Sequence, residues 1–197
     1  MNYAINNVTN EYELDRVLAF AQRIFGNNEP GLEVQSRNKW LERITVHPEL
    51  MLFAEANDEV IAIVLSFLES NGNITIGIVA TDERYRKYGI AKELMLLIEK
   101  RAKELGVHLL ALGSAETAEG FYAKLGYIGQ LLIQSEKHTI NELLFLNPGY
   151  PIAFTNIYDS TVNQICLKLP QANRVLQKLY ETTFDGCYTQ TMFWKTI

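Results

Sequence analysis

The stretch Val79-Ala80-Thr81-Asp82-Glu83-Arg84-Tyr85-Arg86-Lys87-Tyr88-Gly89-Ile90-Ala91 joins the end of a β-rich run to the start of a long amphipathic one. A strand, a basic turn with one glycine and a helix in that order build a backbone anion site. The first N–H groups of a helix have no intrahelical partner and lie at the positive end of its dipole. Gly89 would let an anion approach the main chain where a side chain would obstruct it. Arg84, Arg86, Lys87 and Lys92 add positive charge at an end where cations oppose the dipole by about 0.3–1 kcal/mol each. A bound polyanion or plain solvent is what compensates them. The turn is neither a P-loop nor a dinucleotide fingerprint, because the glycine spacing of both is absent.

Upstream of the turn, Leu14, Val17, Leu18, Ala21, Ile24 and Phe25 recur at helical spacing and predict a helix over Glu11 to Phe25, stopped by Gly26. A loop follows over Gly26 to Gly31, then a weaker helix over Val34 to Ile44. Leu50 to Ala56, Val60 to Leu68 and Ile74 to Ala80 read as three antiparallel strands. They are joined at Asn57-Asp58-Glu59 and at Ser70-Asn71-Gly72-Asn73, where Asn71-Gly72 is a strong hairpin signal. Downstream, the stripe from Ile90 to Leu105 is a helix closed by Gly106, and Val107 to Leu112 a strand buried on both faces. Thr117 to Leu125 is a short helix closed by Gly126, and Tyr127 to Gln134 and Thr139 to Leu146 are strands. The expected fold class is α+β, a mixed and mostly antiparallel sheet flanked by helices.

The second informative segment is Ala118-Glu119-Gly120-Phe121-Tyr122-Ala123-Lys124-Leu125-Gly126-Tyr127. Arg86-Lys87-Tyr88-Gly89-Ile90-Ala91 matches the Arg/Gln-x-x-Gly-x-Gly/Ala acyl-CoA signature of the GNAT superfamily of N-acetyltransferases. Phe121 to Tyr127 resembles that family's second motif, Phe/Leu-Tyr-x-Lys-x-Gly-Phe/Tyr, with a helix and a strand between the two as in the family. The resemblance covers residues 1–146. It implies acetyl-CoA as co-substrate and direct attack by a neutral amine of a small molecule or a peptide. Val79 and Thr81, with Ala80 between them, would offer main-chain groups to the pantetheine arm. Arg86, Lys87, Tyr88, Gly89, Ile90 and Ala91 would cradle the pyrophosphate. Tyr122 would protonate the departing thiolate as general acid. One departure is Ala115, where the family often has an asparagine that contacts the cofactor. Gly120 costs about 1 kcal/mol in a helix and gives the cofactor room to approach.

No general base can be read. Glu55, Glu69, Glu116 or a water relay could serve. His47, His108 and His138 show no ligand spacing, so no metal site is assigned. The chain has 197 residues with 48% hydrophobic and 21% charged, and its formal charge of -5 argues against nucleic acid as partner. No apolar run is long enough for a membrane span, and the start Met1 to Asn7 lacks the pattern of a signal peptide. Cys166 and Cys187 read as buried, reduced thiols, which together predict a cytoplasmic protein.

Beyond Asn147-Pro148-Gly149-Tyr150-Pro151 the chain restarts as a β-β-α-β extension, residues 147–197: strands over Ile152 to Tyr158 and Val162 to Leu169, turning at Asp159-Ser160-Thr161, a helix from Pro170 to Tyr180, and a strand over Tyr188 to Trp194. Tyr150, Phe154, Tyr158, Tyr180, Phe184, Tyr188, Phe193 and Trp194 must pack somewhere. The options are extra core docked on the transferase, a homodimer interface, or a wall of the acceptor site where Asp159, Glu181 or Asp185 would receive a cation. An N-acetyltransferase is the leading expectation, and a non-catalytic acyl-CoA-binding sensor or an interaction module are the alternatives.

Overall fold

A computed structural model describes residues 2–26, 37–158, 160–169 and 172–197. The loop over Asn27 to Gly31, the start of the second helix at Val34, Asp159 of the late turn and the helix start at Pro170 lie outside the described residues. The chain divides into two compact units, Met1–Leu110 with Thr196–Ile197, and Ala111–Lys195. The fold is mixed α/β with mostly antiparallel strands flanked by helices, as the sequence predicts.

In the first unit, strands β1 (Ala4–Asn7), β2 (Met51–Ala56), β3 (Glu59–Leu68) and β4 (Ile74–Thr81) form an antiparallel run in chain order. The two turns are those expected. Asn57 and Asp58 take φ of 51° and 62°, the conformation of a tight hairpin turn, and Gly72 takes 83°. Helix α1 (Glu11–Phe25) begins at Asn10, whose side chain accepts from the Glu13 amide, and ends at Gly26. Helix α2 (Arg37–Val46) and α1 bury Leu14, Val17, Phe20 and Trp40 against Phe53, Ile63, Leu65 and Ile78. Leu52, Ala62 and Val64 alternate onto the opposite face, and helix α3 (Ile90–Glu104) packs on β2, β3 and β4. Strand β4 slips by one residue between its pairs Leu65–Ile78 and Ser66–Ile76, which makes Gly77 a bulge.

Strand β5 (Leu109–Ser114) leads into the second unit, where the strand order is β5, β9 (Cys187–Thr196), β6 (Ile128–Ser135), β8 (Val162–Leu167), β7 (Ile152–Tyr158). Strand β6 pairs antiparallel with both β8 and β9. Helices α4 (Glu119–Lys124), α5 (Ile140–Phe145) and α6 (Arg174–Thr183) complete it. Its core joins Leu131, Ile133, Ile165 and Leu167 to Leu143 of α5 and Leu176 and Tyr180 of α6. The β-β-α-β order of residues 147–197 is as expected.

The strand expected over Thr139 to Leu146 is a helix. Thr139 and Glu142 form a capping box, each satisfying the other's backbone N–H, and only Leu143 of α5 is fully buried. Other differences are of extent. Strand β1 was not foreseen, β5 starts at Leu109 rather than Val107, a 3-10 turn at Glu116–Ala118 precedes α4, and α6 runs to Thr183 rather than Tyr180.

Candidate active site

In the first unit the chain leaves β4 at Thr81 into a turn organised by Asp82. This aspartate is 4% exposed, and its amide donates to the Ile61 carbonyl. Its carboxylate accepts from the Arg84 amide at 3.0 Å, the Arg84 side chain at 3.0 and 3.1 Å, and Arg23 of α1 at 3.0 Å. Those bonds, led by the Arg84 side chain, hold the Asp82 carboxyl well below the usual carboxylate range. Arg84 also reaches Glu59 at 3.2 Å. Arg86 donates to the Thr81 carbonyl at 3.3 Å and pairs with Glu83 at 3.2 Å. Two of the four cations that the sequence places at this end are therefore engaged by carboxylates of the same turn.

Lys87 and Gly89 take positive φ, 69° and 85°. Gly89 is the residue before α3, and no side chain caps the helix there. A Cβ on Gly89 would meet nothing within 4 Å, so the glycine is required by its backbone conformation and its flank is open. The first intrahelical bond runs from the Glu93 amide to the Gly89 carbonyl at 3.0 Å. Ile90 is buried under the start of the helix, while Lys87, Tyr88 and Lys92 are exposed and Ala91 is half-buried. Val79 and Thr81 are half-buried and Ala80 belongs to the core. Such an arrangement, bare amides behind a left-handed glycine, presents N–H donors and dipole to an anion.

Tyr122 belongs to the second unit. It sits on α4, 5% exposed, with ring contacts to Phe121 at 5.2 Å, Phe193 at 5.6 Å and Tyr127 at 6.1 Å. Burial pushes its phenol up to about 12, so it stays protonated through the neutral range. The turn after α4 is closed by Gly126 at φ 84° and by the Tyr127 amide donating to the Tyr122 carbonyl at 3.1 Å. Ala115 stands at the cap position of the 3-10 turn, where an asparagine would bond a backbone amide and alanine does not. Arg174 of α6 pairs with Glu119 at 2.6 Å and with Glu116 at 3.3 Å, tying α6 to the start of α4. The other Glu119 oxygen is buried with no partner.

The candidate bases all have structural partners. Glu55 pairs with Arg16, Glu69 accepts from the Thr75 hydroxyl at 2.8 Å, and Glu116 pairs with Arg174. Among the described residues no group of three or more His, Cys, Asp or Glu could hold a metal, and no helix is long and apolar enough to cross a membrane. Both cysteines are free and buried, which raises the Cys166 thiol to about 12 and the Cys187 thiol to about 11. Sequence reasoning missed Asp82 as the organiser of the turn and the Arg174–Glu119 pair. An aspartate two residues before an arginine was the local signal for the first, and the second had none.

The sequence profile of the acetyltransferase (GNAT) family matches residues 14–127. No curated protein sequence matches the chain. Among solved structures, a polyamine N-acetyltransferase from Drosophila melanogaster is 10% identical, with a TM-score of 0.59 over 100% of both chains. The ribosomal-protein-S18-alanine N-acetyltransferase of Escherichia coli is 15% identical, with a TM-score of 0.54 over 88% of this chain and 97% of that one. A PaiA N-acetyltransferase from Thermoplasma acidophilum, solved with coenzyme A, is 17% identical, with a TM-score of 0.53 over 86% of this chain and 100% of that one. At these identities the structures carry the likeness of fold.

Proposed function

The chain belongs to the acetyltransferase (GNAT) family, and on that premise we propose that it transfers the acetyl group of acetyl-CoA to a primary amine of a small molecule or a peptide. The observation that carries the reading is the start of α3, a 15-residue helix without a side-chain cap behind Gly89 at φ 85°. Amides there, from Arg86 through Ala91, are suited to the pyrophosphate, with Lys87 and Lys92 close by in sequence to add charge. Val79, Ala80 and Thr81 at the end of β4 would pair with the amides of the pantetheine arm. The transferase machinery is assigned to residues 1–146, with 147–197 as an extension that supplies β7, β8, α6 and β9. Two free, buried thiols suit a reducing compartment, and the reading places the protein in the cytoplasm.

In this mechanism a neutral amine nitrogen attacks the acetyl carbonyl carbon, the carbon–nitrogen bond forms and the carbon–sulfur bond breaks. Tyr122 donates its hydroxyl proton toward the departing sulfur. A phenol pushed up to about 12 transfers its proton uphill to a thiolate whose reference value is about 8.5. Its help therefore begins as a hydrogen bond that strengthens as charge builds on sulfur, and the proton shed by the nitrogen as the carbon–nitrogen bond forms restores the phenol, so that the thiol's proton comes in the end from the amine.

Thermal shift with acetyl-CoA against free adenosine tests the cofactor, and absence of stabilisation at near-saturating acetyl-CoA sinks the assignment. Release of free CoA thiol across a panel of amines tests the reaction. Tyr122→Phe should lower kcat about 100-fold with acetyl-CoA affinity retained, and full activity would remove Tyr122 from the mechanism.

A further inference from the structure

Within the first unit, the last turn of α2 and the end of β3 form a half-open pocket of about 190 Å³ lined by Glu42, Arg43, Val46, His47, Ser66, Phe67 and Leu68. A cavity of about 150 Å³ holds benzene, so this one admits a body about the size of an aromatic ring. One of its walls is a histidine oriented by a carboxylate. The His47 Nδ1 lies 2.8 Å from Glu49 Oε1, which fixes the tautomer that donates from Nδ1 and leaves the Nε2 lone pair to accept a proton. Pro48 makes the pair possible, since it begins the 3-10 turn that folds Glu49 back beside the ring.

The ladder sets where this cavity lies along β4. Five residues back from Thr81, at about 3.4 Å each, spans about 17 Å, which an extended pantetheine arm covers, and arrives at Ile76. Ile76 pairs with Ser66 on β3. We propose that this cavity is the acceptor pocket, that it takes a small primary amine with an apolar body, and that His47, held by Glu49, is the base that deprotonates it. The assignment rests on the acetyl-transfer reading above. His47 Nε2 takes one proton from the ammonium and passes it to bulk water. The freed lone pair attacks the acetyl carbonyl, and the second proton, shed as the carbon–nitrogen bond forms and the carbon–sulfur bond breaks, leaves on the CoA thiol.

Charge favours a cation. The charged groups of the pocket and its surroundings are Glu42 and Arg43 on α2, Glu49 against the imidazole, Glu69 after β3, which acts on Arg43, and Arg101 of α3, which donates to the Glu49 carbonyl. Three carboxylates stand against two guanidiniums. Arg43 stacks on Trp40 at 4.4 Å and Phe67 at 3.4 Å, and the pocket opens at the negative end of α2.

Two arms test the proposal on the intact chain. In the first, His47→Gln should keep the acetyl-CoA thermal shift and lose about 100-fold in kcat/KM for amines. Glu49→Gln should lose about 10-fold in kcat/KM with the acetyl-CoA thermal shift retained, because the imidazole has lost the carboxylate that orients it. A His47→Gln variant with wild-type kcat/KM overturns the assignment. In the second arm, benzylamine is titrated into the wild type without acetyl-CoA while the His47 ring resonances are followed by NMR. A saturable shift absent in His47→Gln is expected. No shift, or a shift with benzoate and none with benzylamine, overturns the pocket even if the enzyme shows no turnover. Turnover failing while benzylamine still binds would count against acetyl transfer alone.

Discussion

The helices α3 and α5 begin in opposite ways. Before α5, Thr139 and Glu142 close a complete capping box, so the first amides are satisfied by the protein itself. Before α3, Gly89 offers no side chain and the amides of Ile90 onward face an open flank. A cap is worth about 1 kcal/mol to a helix, so leaving a 15-residue helix bare gives up stability that the other start keeps. A bare start is what an anion site requires, and the polar turn of Asp82, Arg84 and Arg86 keeps the backbone in place without covering it. The same unpaired first-turn amides are thus used for structure at one helix and left as a binding surface at the other.

The strongest way to break that contrast is to give α3 the carboxylate it lacks. Gly89→Asp should weaken acetyl-CoA about 100-fold, or about 2.7 kcal/mol, with the melting temperature of the free protein within a few degrees of wild type, because aspartate tolerates the left-handed region. Calorimetry with acetyl-CoA decides it, and unchanged affinity would show that the helix start is not the anion site.

Next is the turn itself. Asp82→Asn should cost about 2 kcal/mol in denaturant unfolding, since it leaves a buried site short of its charge. The same group gives a pH signature. Its carboxyl is held low in the folded chain, so its contribution is fully present above the unfolded value near 3.9 and is lost as pH falls below it. In Asp82→Asn the loss of stability below about pH 4 should be shallower than in wild type.

Smaller effects sharpen the other side of the comparison. Thr139→Ala should lower stability by about 1 kcal/mol with acetyl-CoA affinity untouched, and a change in affinity would mean that the capped start is not merely structural. Gly120→Ala, where a Cβ would meet nothing within 4 Å, should raise stability by about 0.5 kcal/mol. If the free protein is stabilised while the acetyl-CoA thermal shift shrinks, the cofactor passes close to that glycine.

How far the sequence discloses this molecule follows from the range of each interaction. Helix α1 is legible to the residue because both its signals, Asn10 and Gly26, lie at its ends. The three-strand meander is legible from its two turns. The segment from Thr139 to Leu146 misleads because Ile140, Leu143, Leu144, Phe145 and Leu146 look like a strand. The deciding signal is the Thr139-x-x-Glu142 spacing, which outweighs β propensity in so short a run. For the site, the turn from Val79 to Ala91 and Tyr122 stand out through local pattern. The pairing of Asp82 with Arg23 across 59 positions, of Glu119 with Arg174 across 55, and the seating of His47 against β3 depend on tertiary packing, which local spacing does not encode.

Strand β9 follows β5 and β6 in the chain, yet it lies between them rather than at a rim. Until it emerges, β6 can pair only with β8, and the inner edges of β5 and β6 stay exposed to chance partners. Folding of the second unit therefore waits on a strand made after both its neighbours and is dominated by long-range pairing, which makes it slow. Losing Cys187–Thr196 would remove an inner strand, so a chain cut before Cys187 should yield aggregate rather than a shortened enzyme.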